Sequence, residues 1–453
     1  MSDTLSIVNP STEEVIGDVP RRSLAEVDAI IARAAAVAPA WRRVTPADRA
    51  RLLRRFAEVV DAHNEELAQL EVANSGHTIT NARWEAGNVR DVLAYYAGAP
   101  ERFTGKQIPV AGGVDLTFHE PLGVVGVIAP WNFPMPIASW GFAPALAAGN
   151  VVVLKPATLT PLTAMRLGEL ALEAGLPEGV FQVVTGDGVL VGDRLVSHEA
   201  VRKICFTGST AVGRAVMAGC AAQMKRVTLE LGGKSANIVF ADADLERAAA
   251  QAPYAVFDNA GQDCCARSRI LVEQGAYDRF MELFEAAVKA VRVLDPADER
   301  SEMGPLISAA HRASVADYVA SAEVAFVGSR PGGAGYWFAP TVLVGDRAGR
   351  AYQEEIFGPV VSVVPFADEA EAVALANEGP FGLSGSLWTR DVGRALRVAR
   401  GVETGTLSVN SNSSVRYATP FGGFKQSGLG RELGPDALLG FSEEKNVFIA
   451  TEE

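Results

Sequence analysis

The chain has 453 residues, 48% of them hydrophobic and 21% charged, and a formal net charge of −13. This is the length and mix of a globular protein of two or three domains, not of a small module or a disordered chain. The acidic balance, without a basic stripe, argues against a nucleic-acid partner.

After a short extended start, segments 24–39, 46–74 and 83–99 are rich in Ala, Leu and Arg and repeat apolar residues with helical spacing. From Val124 the texture changes. VVGVIAP, NVVVLKPA, VFQVVTG and KICFTG are apolar strands separated by helical stretches, the pattern of a parallel sheet covered on both faces. The fold class expected is therefore α/β, with a Rossmann-like doubly wound domain. A second α/β unit starts near Thr228, with strands VTLEL, SANIVF, RILVE, VVSVVPF, SGSLWT and TLSVN, and with Asp244 placed to cap a helix from Leu245 towards Val256. The 34-residue stretch from Pro121 to Leu154 carries no charge, but prolines at 121, 130, 134, 136 and 144 interrupt it. A membrane span is not expected there, because lipid demands an unbroken internal set of backbone hydrogen bonds. Segments 106–122 and 441–453 alternate like exposed strands. They suit either an edge hairpin and a tail, or an arm that pairs between subunits.

The cysteines at 205, 220, 264 and 265 show no CxxC spacing and no His companions. Neither a metal site nor a disulfide framework is expected, and the thiols fit a reducing cytoplasm. The opening MSDTLSIVNPSTEE lacks the features of a secretory signal.

Several short motifs carry chemistry. In GQDCCARSR, 261–269, a cysteine follows Gly and polar residues; it is either a nucleophile or a small buried filler. In LELGGKSAN, 229–237, Glu230 lies in an apolar strand, where a carboxylate is costly unless it is paired, useful as a base, or turned to solvent. In APWNFP, Asn132 sits at a strand break, suited to donate to an oxyanion or to make an Asx turn. FTGSTAVG, 206–213, follows a strand and opens a helix, so its N–H groups can face a phosphate. VTGDG, LKPATLTP, EEIFGPV and PFGGFKQSGLGRE complete the set.

Taken together and in this order, the motifs resemble the NAD(P)-dependent aldehyde dehydrogenase superfamily from about Ile7 to Val447. The resemblance implies that Cys264, not Cys265, is the nucleophile, Glu230 the general base, and Asn132 the oxyanion donor together with the Cys264 N–H. It further implies that Lys155 holds the adenosine ribose, that Gly208 and Ser209 lie by the pyrophosphate, and that Glu355 holds the nicotinamide ribose beside Phe357. Ile128, Trp131 and Gly188 fall where such enzymes line the cofactor cleft. The implied reaction converts an aldehyde through a cysteine thiohemiacetal and a thioester to a carboxylic acid, in a homodimer or homotetramer. The domains expected are 1–105 with 123–229 for the cofactor, 230–440 for catalysis, and 106–122 with 441–453 as the oligomerisation arm.

Three positions depart from the commonest pattern. Thr158 replaces a Glu found in many NAD-preferring relatives, so NADP is expected to be tolerated alongside NAD unless Thr158 merely caps the next helix. Asp263 precedes the nucleophile and, with Trp140, favours a cationic aminoaldehyde, as in the γ-aminobutyraldehyde branch. Core packing is the plainer role for Trp140. Arg416, in the SNSSVRYATP loop, would favour an anionic semialdehyde if it points inward; an aromatic aldehyde is a further alternative. Two other classes compete: a cofactor-free cysteine thioesterase or esterase, and a non-catalytic scaffold.

Overall fold

The computed structural model describes residues 3–345, 347–413 and 415–451; the first two and last two residues of the expected domains, with Asp346 and Ser414, lie outside the described residues. Two sheets organise the chain. The first runs in the order Gly428–Leu429, Arg226–Glu230, Val201–Thr207, Val124–Ile128, Val151–Lys155, Phe181–Val183, all parallel except Gly428–Leu429. The second runs Glu323–Val327, Thr341–Val344, Val360–Phe366, Arg269–Glu273, Ala236–Val239, Ser384–Trp388, Thr406–Val409, with only the edge strand Glu323–Val327 antiparallel.

The apolar strands form because both faces are covered: every residue of Val124–Ile128 and Val151–Lys155 is buried. The charge-free stretch resolves as strand, loop, helix and strand. Its helix, Pro134–Ala148, is buried at every position and stops at Gly149, whose φ of +97° is the left-handed cap that glycine adopts without strain. No helix among the described residues is long and apolar enough to cross a membrane. Asp244 caps the helix Leu245–Phe257 by accepting from the Arg247 N–H.

Strand order sets the site. The chain lays Val151–Lys155 and Phe181–Val183 on one side of Val124–Ile128, then crosses to place Val201–Thr207 and Arg226–Glu230 on the other. Such a reversal opens a crevice at the C-terminal strand ends, where ligands bind in doubly wound folds. The C-terminal ends of these strands and the segments after them carry Asn132, Lys155, Gly188, Gly208 and Glu230.

The structure differs from expectation in three places. The helical stretch 46–74 divides at His63 into Pro46–Ala62 and Asn64–Ser75, and the next helix begins earlier, at Ile79. The VTLEL strand belongs to the first sheet, so the change of sheet falls between Glu230 and Ala236. The chain also returns to the first unit before residue 440. Phe421, Leu433, Leu438 and Phe441 join the core of the first sheet, and Gly428, at φ +154°, lets its strand approach Leu229 and Glu230. Segments 107–110, 113–121 and 442–450 form a separate three-stranded antiparallel sheet that leaves Phe118, Phe448 and Ile449 exposed.

Asn150 ties three of these pieces together. Its Oδ1 accepts from the Gly123 N–H at 2.9 Å, and its Nδ2 donates to the carbonyls of Ala145 at 3.1 Å and Phe441 at 2.9 Å. Asn150→Ala would orphan these buried groups at a cost of about 2–4 kcal/mol. A clear fall in the thermal midpoint by calorimetry is expected, whereas an unchanged midpoint would show that these bonds contribute nothing net.

Candidate active site

The loop that carries Cys264 follows the helix Leu245–Phe257. Asn259 and Ala260 take left-handed backbone angles, at φ 49° and 54°, and Gly261 at φ 69° packs so tightly on Gly358 that no Cβ fits. This strained turn brings Gln262, Asp263 and Cys264 against the loop after Val124–Ile128. Asn132 is buried there; its Nδ2 donates to the Gln262 carbonyl at 2.9 Å, while the Asn259 Nδ2 donates to the Asn132 carbonyl at 2.7 Å. One side-chain N–H of Asn132 is thus spoken for, and the amide is locked beside the Cys264 loop.

Cys264 is partly buried and Cys265 is buried. The neighbouring Cys265, burial, and the negative charges of Asp263 and Glu355 all push the Cys264 thiol well above its ordinary pKa. Asp263 accepts from the Cys265 N–H at 2.8 Å, and burial raises its carboxyl while the Arg267 guanidinium opposes the rise. Glu355 accepts from the Gly233 N–H at 2.7 Å; burial lifts it to about 7, with the Lys234 ammonium opposing. The Gly232–Gly233 turn is required here. A Cβ at Gly232 would collide with the Glu355 carboxylate, and one at Gly233 with the Cys264 carbonyl.

Glu230 ends its strand buried, with no protein partner on either carboxylate oxygen. Burial and the adjacent Glu432 raise it well above the ordinary range, with Arg431 opposing. Glu230 is therefore not turned to solvent. It interacts with Glu432 and Cys265 but makes no hydrogen bond to Cys264. Glu432, lifted to about 7 by burial, is a neighbour that the sequence did not point to, although it ends the motif PFGGFKQSGLGRE.

The remaining expected cofactor residues gather at the crevice. Lys155 is buried, its Nζ donates to the Pro156 carbonyl at 3.0 Å, and burial lowers it to about 8 against the pull of Asp187. The Thr158 hydroxyl donates to the Gly186 carbonyl at 3.3 Å. It does not cap the following helix, Leu162–Glu173, whose N-cap position is Pro161. Ser209 caps the helix Thr210–Ala221, whose first turn holds no acidic residue, and a Cβ at Gly208 would lie 2.7 Å from the Phe206 ring. Gly188 opens the helix Gly188–Ser197 with free space above it, flanked by exposed Val189 and Leu190. Ile128 is buried beneath, and Trp131 meets Phe357 edge to face at 5.3 Å. A helix N-terminus for phosphate, polar groups for ribose and an apolar slot beside them fit a nicotinamide dinucleotide.

On the opposite side of Cys264 lies a cavity of about 440 Å³. Its wall includes Asp258, Asp263, Cys264 and Arg267, with the rings of Trp84, Phe133, Trp140, Tyr254 and Phe421. Trp140 both packs and lines: it is buried, its ring meets Phe421 at 5.2 Å, and its Nε1 donates to the Asn88 Oδ1 at 3.4 Å. Asp258 was not anticipated. It accepts from the Asn81 Nδ2 at 2.5 Å, and burial lifts it to about 6. No sequence signal marks it beyond its place at a helix end near GQDC. Arg416 corrects an expectation. It is exposed on its loop and absent from the cavity wall, to which the loop presents Ser411, Asn412, Ser413 and Val415 instead.

The family model for the aldehyde dehydrogenase family matches residues 1–447. A phenylacetaldehyde dehydrogenase of Pseudomonas fluorescens is 41% identical over 99% of this chain and 93% of its own. The crystal structure of an NADP-dependent enzyme of E. coli superposes with a TM-score of 0.97 at 38% identity, over 99% of this chain and 95% of that one. Betaine aldehyde dehydrogenase of Staphylococcus aureus in complex with NAD+ gives a TM-score of 0.96 at 37% identity, over 99% and 92%.

The charges around Cys264 have a measurable consequence. In the ligand-free protein, alkylation of Cys264 by iodoacetamide is expected to be slow at pH 7 and to climb with pH beyond the range of an ordinary thiol. Asp263→Asn keeps an acceptor for the Cys265 N–H but removes a negative charge, so alkylation at pH 8 is expected to quicken by about 3- to 10-fold. An unchanged or slower rate, read by intact mass, would show that Asp263 does not act on the thiol.

Proposed function

The chain belongs to the aldehyde dehydrogenase family, and from that premise we propose that it oxidises a cationic, amino-bearing aldehyde to the carboxylic acid. The observation that carries the substrate class is the cavity wall, where two carboxylates, Asp258 and Asp263, stand among five aromatic rings. Arg267 offsets one negative charge, which leaves a net attraction for a cation, and aromatic faces add to it.

Cys264 supplies the nucleophile. Its sulfur adds to the aldehyde carbon, and the carbonyl oxygen becomes an oxyanion held by the Asn132 amide and the Cys264 N–H. Two oriented donors in a dry site stabilise that charge far more than water does; losing one typically costs about 10²- to 10³-fold in rate. A nicotinamide dinucleotide, when bound, supplies the acceptor for the hydride that the carbon then releases. The carbon is left as a thioester on Cys264. Glu230 takes a proton from water, the water oxygen attacks the thioester, and the C–S bond breaks. The acid departs and the thiol regains a proton. Glu432 beside Glu230 offers the base a place to share or pass on its proton. Overall, an aldehyde, a water and oxidised cofactor give an acid, reduced cofactor and a proton.

Lys155 and Thr158 are assigned to the adenosine end, Gly188, Gly208 and Ser209 to the pyrophosphate, and Glu355 with Phe357, Trp131 and Ile128 to the nicotinamide end. With Thr158 rather than a carboxylate near the ribose, a 2′-phosphate meets no added repulsion, so NAD and NADP are both accepted. The exposed arm strands are assigned to pairing between copies, in a homodimer or homotetramer. The aromatic wall also favours a second substrate class, an uncharged aromatic aldehyde. An anionic semialdehyde loses its support because Arg416 lies off the wall. A cofactor-free thioesterase would leave Lys155, Glu355 and the glycine turn without a task.

The test compares γ-aminobutyraldehyde, an uncharged aliphatic aldehyde of equal length and phenylacetaldehyde, with NAD and with NADP. A kcat/KM at least tenfold higher for the amine is expected, with NAD and NADP efficiencies within about tenfold of each other. Asp258 is charged above about 6 and neutral below, so the KM for the amine is expected to rise as pH falls through 6 while that of the uncharged aldehyde stays flat. A preference for phenylacetaldehyde, or equal pH profiles, would reject the cationic substrate.

A further inference from the structure

Behind Asn132 lies a buried polar cluster that the reaction as described does not use. Glu71 on the helix Asn64–Ser75, His77 on the turn after it, and Glu85 on the helix Ile79–Ala97 are 0%, 3% and 0% exposed. The His77 Nδ1 is hydrogen-bonded to the Glu85 Oε1. Glu71 stands off, its Oε1 3.9 Å from Nδ1, while its Oε2 accepts from the Thr163 hydroxyl at 2.9 Å. The imidazole packs against Phe133 with ring centres 5.6 Å apart, and its other edge faces the main-chain carbonyl of Asn132. Asp258 is the remaining charged group near the ring.

A neutral imidazole has one N–H, and the group on one nitrogen decides where that proton sits. Two acceptors flank this ring, the Glu85 carboxyl and the Asn132 carbonyl. If the shared proton belongs to Glu85, it is donated to Nδ1 and the ring proton is on Nε2. If the ring is doubly protonated, Nε2 again carries one. The third arrangement, a neutral ring with Nδ1–H on a Glu85 carboxylate, would set a bare Nε2 lone pair against the Asn132 carbonyl oxygen, so the nitrogen facing Asn132 is assigned as the donor.

We propose that the Glu85–His77 pair is a positioning device for the oxyanion site: Glu85 fixes the imidazole so that Nε2–H donates to the Asn132 carbonyl and holds its side-chain amide in line for the developing negative charge. His77 and Asn259 then grip the same carbonyl while Gln262 takes one amide N–H, leaving the other N–H of Asn132 for substrate. His77 is a positioning residue and touches neither substrate nor cofactor. The assignment rests on Asn132 being the oxyanion donor.

The experiment is a double-mutant cycle on the full-length protein, with kcat, the aldehyde KM and the NAD Kd measured for His77→Leu, Glu85→Leu, His77→Gln, Asn132→Ala and His77→Leu/Asn132→Ala. A misplaced amide is expected to cost about 10- to 100-fold in kcat for His77→Leu and Glu85→Leu, with KM and Kd within about threefold, and His77→Gln, which keeps a donor, recovers most of the loss. In the Asn132→Ala background, His77→Leu is expected to cost less than about twofold, because the group it positions is gone. A kcat for His77→Leu within twofold of the parent, or an equal loss in both backgrounds, overturns the proposal. If His77→Leu does not fold, Glu85→Leu replaces it in the cycle and is judged by the same outcomes. A full kcat for Asn132→Ala alone would instead sink the oxyanion assignment.

Discussion

The site depends on a reciprocal clasp between two loops from different sheets. Asn132, after the strand Val124–Ile128 of the first sheet, gives an amide N–H to the Gln262 carbonyl; Asn259, between two strands of the second sheet, gives one back to the Asn132 carbonyl. Both bonds are buried, so breaking either would strand a polar group away from water. The clasp brings the Cys264 loop to the mouth of the cofactor crevice. The left-handed turn at Asn259–Gly261 and the glycine pair at 232–233 are the backbone adjustments that make the approach possible.

Around that clasp the protein gathers carboxyls. Asp258, Asp263, Glu355, Glu230 and Glu432 are all raised, chiefly by burial. Lys155 and Lys234 are pushed down, to about 8 and about 7, for the same reason. A resting site of this kind disfavours charge on the thiol as well. The arrival of a positive ligand beside Cys264 would reverse that balance, since opposite charge at close range lowers a thiol's pKa. The Cys264 thiol is thereby kept mostly protonated, and less open to oxidation, until ligands enter.

Much of the fold was legible because its strands are continuous apolar runs bounded by Gly and Pro. VVGVI and VVVLK leave no reading other than a strand buried on both faces. The family was legible from the local motifs around Cys264, Glu230 and Asn132, and the fold places these residues close together. What escaped depends on distant pairing. Glu432 reaches Glu230 only because the chain returns to the first sheet, and Asp258 meets the cavity only through the turn at Asn259. His77 and Glu85 look like ordinary helix-end and helix residues until the fold buries them together. The direction of Arg416 was left open because an irregular loop has no periodicity from which to read which side chains face the cavity.

The central claim is that Cys264 carries the acyl group and Glu230 releases it. The most direct measurement is intact-protein and peptide mass spectrometry of Glu230→Gln after mixing with aldehyde and NAD. The account predicts that an acyl group accumulates on Cys264, at close to one per chain, while the parent enzyme shows little and Cys264→Ala none. Absence of an adduct, or an adduct on Cys265, would contradict it.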